Sequence, residues 1–107
     1  MVLVESPYFT KTITALLPDD DYRQLQAALI KNPESGDLIK GSGGLRKLRW
    51  TIPGRGKRGG IRVIYYWWVA KNQIYLLFAY PKNVQGDLTP AQVKRLAEQI
   101  QRELNDG

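Results

Sequence analysis

The chain has 107 residues, a net charge of +6 and an apolar fraction of 43%, with three Trp and six Tyr. That suffices for one folded domain spanning 1–107 around one core, since a chain this short buries only about 60–70% of its unfolded surface. It contains no Cys and no His, which excludes disulfides, thiolate chemistry, the usual zinc sites and a Ser-His-Asp triad.

In chain order, Met1 to Val4 is a short apolar run that predicts a β-strand. Ser6 and Pro7 read as an N-cap followed by a proline at the first helical position. Phe9, Ile13, Leu16 and Leu17 then recur at helical spacing up to Pro18. Asp19, Asp20 and Asp21 offer capping oxygens and negative charge to a second helix with the stripe Tyr22, Leu25, Ala28 and Leu29, ended by Asn32-Pro33. Gly36, Gly41, Gly43 and Gly44 break any helix, and Leu45, Leu48 and Trp50 lead into an extended segment. Ile61 to Val69 is β-branched and aromatic, Asn72 marks a turn, and Ile74 to Tyr80 is a further strand. Thr89-Pro90-Ala91-Gln92 is a capping box opening a last helix with Val93, Leu96, Ala97, Ile100 and Leu104 on one face. The order β-α-α-β-β-β-α predicts an α+β fold: a small antiparallel sheet packed with an N-terminal helical hairpin and a C-terminal helix. No apolar run reaches the roughly 18–20 residues of a membrane span, and no basic leader precedes Glu5, so a cytoplasmic protein is expected.

The charge is unevenly placed. Between Leu38 and Gly86 there is no Asp or Glu but ten basic residues: Lys40, Arg46, Lys47, Arg49, Arg55, Lys57, Arg58, Arg62, Lys71 and Lys82. The remainder is net negative, so the positive field is concentrated in one segment suited to phosphate-bearing partners. Within it, Pro53 to Gly60 alternates glycine with Arg and Lys and passes directly into the strand carrying Arg62. Glycine permits close approach of a polyanion, and arginine holds phosphate oxygens in two-point contact. The loop is not a P-loop, since G-x-x-x-x-G-K-[ST] is absent and a strand follows where that motif needs a helix.

Gly-Gly-Leu-Arg-Lys-Leu-Arg at 43–49 and Gly-Lys-Arg-Gly-Gly-Ile-Arg-Val-Ile-Tyr-Tyr at 56–66 resemble the HigB branch of the RelE/ParE toxin superfamily. Tyr75-Leu76-Leu77, Tyr80-Pro81-Lys82-Asn83 and Asp87-Leu88 continue the resemblance over nearly the whole chain. It implies a RelE-like toxin of a type II toxin–antitoxin system: a ribosome-dependent messenger-RNA endoribonuclease (an mRNA interferase) that blocks translation. The implied partners are the ribosome, mRNA and a neutralising antitoxin, often one with a helix-turn-helix domain. In the implied reaction the 2′-hydroxyl attacks the adjacent phosphate and leaves a cyclic phosphate, with no metal or cofactor required.

That chemistry needs a base, positive charge on the phosphate oxygens and an acid for the leaving oxygen. The resemblance places Arg62 as the phosphate-stabilising arginine and matches Tyr80 and Lys82 to late-strand site positions. Tyr80 is a candidate for base stacking or proton transfer. Without histidine, Lys57 and Lys82 are the candidate bases, helped by like-charge repulsion from Arg55, Arg58 and Arg62. Arg46, Lys47 and Arg49, with Arg55 and Arg58, are expected to hold RNA, and Trp50, Trp67 and Trp68 to pack in the core. Some members carry a histidine or tyrosine after the last strand, or an arginine after the late lysine; here Asn83, Val84, Gln85 and Gly86 occupy that region. Two competing readings are a ParE-like gyrase inhibitor on the same fold and a non-enzymatic nucleic-acid-binding module.

Overall fold

The first strand, β1 (Val2–Glu5), ends at Ser6, whose hydroxyl accepts from the Phe9 N–H and so caps α1 (Pro7–Leu16). The structure is a computed structural model that describes residues 1–51 and 60–106. A second helix, α2 (Asp19–Lys31), follows after Leu17 and Pro18 and completes the expected hairpin. The expected aspartate cap is not used. Pro18 is the N-cap, with no side-chain cap bond, and the three aspartates occupy the first turn, where their charge still favours the helix dipole.

Four more strands follow: β2 (Asp37–Leu38), β3 (Leu45–Trp50), β4 (Ile61–Trp68) and β5 (Gln73–Pro81). Two residues carry no periodicity, which is why β2 was not legible. A 3₁₀ turn (Val69–Lys71) and Asn72, held left-handed at φ 52°, join β4 to β5. The last helix, α3 (Pro90–Asp106), opens with the expected capping box: the Thr89 N–H donates to Gln92 Oε1 at 2.9 Å and the Gln92 N–H to Thr89 Oγ1 at 3.1 Å.

The sheet runs β1-β5-β4-β3-β2. All neighbouring pairs are antiparallel except β1–β5, which is parallel, so the sheet is mixed where the sequence suggested a purely antiparallel one. A strand's direction relative to a partner some seventy residues away is a tertiary property. A register shift at Ile64/Tyr65 leaves Leu77 without a cross-strand partner, and Leu77 joins Tyr80 on the α3 side of the sheet.

Each sheet face carries its own core. Phe9, Ile13, Leu17, Leu25 and Leu29 of the hairpin pack on Leu48, Ile61, Val63 and Tyr65, with Trp50 and Trp67 alongside. On the other face Leu96 and Ile100 of α3 cover Leu45, Ile64, Leu77 and Tyr80. Trp68 tilts against Tyr75, with the Lys71 ammonium 4.6 Å from its ring. Gly36 is required by close packing: a Cβ there would lie 2.7 Å from the Tyr65 ring, whose hydroxyl accepts from the Gly36 N–H and donates to the Pro33 carbonyl.

Candidate active site

Strand pairing brings the candidate residues together. In the three central strands Arg49 lies opposite Arg62, and Arg62 opposite Tyr80. Side chains alternate across a strand, so Lys47 and Arg49 share the α3 face with Leu45, as Arg62 does with Ile64. Lys47 stands two residues from Arg49, about 6.6 Å along the strand. One cationic row therefore crosses β3 and β4 and meets Tyr80 on β5.

The same alternation removes Arg46 from this group. It projects to the hairpin face, where its guanidinium donates to the carbonyls of Glu34 and Gly36 at 3.3 and 2.9 Å. A run of three basic residues in sequence is thus split between two faces. Arg55, Lys57 and Arg58 lie outside the described residues. Lys82 follows β5 directly, is exposed, and is tied to the start of β4 by its N–H donating to the Gly60 carbonyl at 3.0 Å. Gly60 also abuts Arg62: a Cβ there would stand 3.7 Å from the guanidinium.

Tyr80 is 3% exposed, with its ring against Phe78 at 5.5 Å, so no ring face is open for stacking on a nucleobase. Its hydroxyl is buried without a hydrogen-bond partner among the described residues. Burial raises its pKa, the nearby Asp87 carboxylate adds to the rise, and Arg62 opposes it. The group is therefore a neutral phenol at ordinary pH, a proton donor.

Asp87 is the site residue that sequence reasoning missed. Its carboxylate lies 3.0 Å from the Lys47 ammonium and accepts from the Leu88 N–H at 2.9 Å. The hydrogen bond from Lys47, then that from Leu88, with further help from the charges of Lys47 and Arg49, hold its pKa below the usual carboxylate value. The available signal was its position as the first acid after the acid-free segment. Lys47, Arg49 and Asp87, with Asp37 and Lys40, line a pocket of about 260 Å³. That pocket shares Lys40, Leu88 and Val93 with a larger groove of about 850 Å³ between the Lys40–Gly43 turn and α3.

No protein-family model matches the sequence. Among solved structures the chain is similar to the E. coli toxin RelE, determined as a double arginine-to-alanine mutant in the free state. The identity is 16%, the TM-score 0.60, and the match covers 92% of this chain and 94% of that one. The fold is RelE-like. No described helix is long and apolar enough to cross a membrane.

Proposed function

We propose that this chain is the toxin of a toxin–antitoxin pair, of the HigB-type branch, and that it cleaves mRNA on the ribosome without a metal ion. The observation that carries the reading is the row Arg49, Arg62 and Tyr80 in register across three strands, with Lys47 beside it. An RNA phosphate over this row meets two arginines at opposed positions of neighbouring strands, whose guanidinium groups supply donors for its non-bridging oxygens. A base removes the 2′-hydroxyl proton, the 2′-oxygen forms a bond to phosphorus, and the 5′-oxygen leaves with a proton from an acid. The products are a 2′,3′-cyclic phosphate and a 5′-hydroxyl. Tyr80, a neutral phenol paired in register with Arg62, is the candidate acid, a role that requires substrate binding to uncover the hydroxyl that is buried in the free protein. Lys82 and Lys57 are the candidate bases. In this reading the antitoxin is an acidic segment that lies along the groove beside α3 and covers the cationic row, and the protein works in the cytoplasm.

The test is transcript cleavage in a translating extract, with the new ends mapped for cyclic phosphate. Wild type is expected to cut, and Arg62→Ala to lose about 10²–10³-fold in rate while still sedimenting with ribosomes. Intact transcripts together with inhibited gyrase would replace this reading with that of a gyrase-directed toxin. Intact transcripts with RNA binding retained would reduce the protein to a nucleic-acid-binding module.

A further inference from the structure

The cationic row carries its own counter-ion, and the two partners of that pair are unequally held. The Lys47 side chain is 17% exposed, fixed among the sheet and the α3 loop, whereas that of Asp87 is 73% exposed. The carboxylate thus covers a lysine that points toward the face an RNA phosphate would approach, and it acts on Arg49 as well. Asp37, opposite Lys47 in the β2–β3 register, lines the same pocket, but the ion pair is made by Asp87.

We propose that Asp87 sets the RNA affinity of this face: it holds Lys47 in the unliganded protein, and an RNA phosphate displaces it when substrate binds. The inference rests on the nuclease reading above. A solvent-exposed ion pair opens at small cost, up to about fivefold in an equilibrium constant, so a phosphate is able to compete it away. Once displaced, the carboxylate moves into water while Lys47 stays in place on the sheet. The loop does not depend on the charge: Gln85 Nε2 donates to the Asp87 backbone carbonyl at 2.7 Å, and an asparagine keeps the oxygen that accepts from the Leu88 N–H. Asp87→Asn is therefore a charge deletion in an otherwise intact loop.

The experiment is fluorescence anisotropy with a labelled single-stranded RNA, 2′-O-methylated to prevent cleavage, at low salt. Asp87→Asn is expected to tighten Kd by about two- to fivefold. Glu103→Gln, an identical charge change on the exposed side of α3, is the control for net charge and is expected to change little. In a Lys47→Ala background the gain from Asp87→Asn should vanish. A gain no larger than that of Glu103→Gln, a loss of affinity, or a gain that survives Lys47→Ala overturns the proposal while leaving the nuclease reading intact. If wild type and Asp87→Asn alike show no RNA binding, the proposal is overturned, while the nuclease reading stands or falls with cleavage in the translating extract.

Discussion

Tyr80 joins two properties that usually exclude each other: its ring belongs to the α3 core, yet its hydroxyl lies within the field of Arg62 and Asp87 without a hydrogen-bond partner among the described residues. A buried polar group left unpaired costs about 1–3 kcal/mol. Removing that hydroxyl should therefore not harm the fold. Tyr80→Phe is expected to unfold at the same urea concentration as wild type or higher, and to lose about 10²–10⁴-fold in single-turnover cleavage if the phenol protonates the leaving oxygen. A parallel fall in stability and activity would mean that the hydroxyl serves packing instead.

At the scale of elements, the two ends of the chain position the site differently. Ser6 caps α1 and also donates through its hydroxyl to the Leu77 carbonyl at 3.1 Å, so the start of the hairpin is anchored on β5 just before Tyr80. At the other end, α3 starts three residues after Asp87, and its capping box is linked to the loop by Gln85, which donates to Gln92 Oε1 and to the Asp87 carbonyl. The box therefore steadies both the helix and the loop that presents Asp87. Thr89→Ala is expected to cost about 1 kcal/mol in chemical denaturation. Its effect should appear as earlier hydrogen exchange at the Gln92 and Val93 amides, with β3–β5 protected as before. Equal loss of protection throughout the sheet would show that the box does not act locally.

For the whole molecule, the acid-free segment and the sheet register together produce one cationic face on a chain whose remainder is net negative. Binding to single-stranded RNA should then be governed by the phosphates that face neutralises. With Arg49 and Arg62 sharing one phosphate and Lys47 engaging the next, log K should fall against log salt with a slope near −1.4, at about −0.7 per phosphate. Lys47→Ala should reduce that slope by about 0.7, whereas Arg46→Ala should leave it unchanged, because the Arg46 guanidinium is bonded to carbonyls on the opposite face. Equal effects of the two substitutions would contradict the division of faces.

The local signals in the sequence were sufficient for every element but β2. Ser6-Pro7, Asn72 and Thr89–Gln92 each specify their structure through hydrogen bonds or backbone angles within a few residues, and the apolar stripes identify which sides of the helices are buried. The concentration of positive charge was equally legible, being a property of composition along the chain. Tertiary structure alone decided the rest. The parallel pairing of β1 with β5 joins residues some seventy positions apart, and β2 exists only because β3 is there to pair with it. Strand alternation placed Arg46 apart from Lys47 and Arg49, and the turn after β5 brought Asp87 back onto Lys47 across forty positions of sequence. Helix signals act within a few residues, whereas a site assembled across several strands exists only once their registers are set.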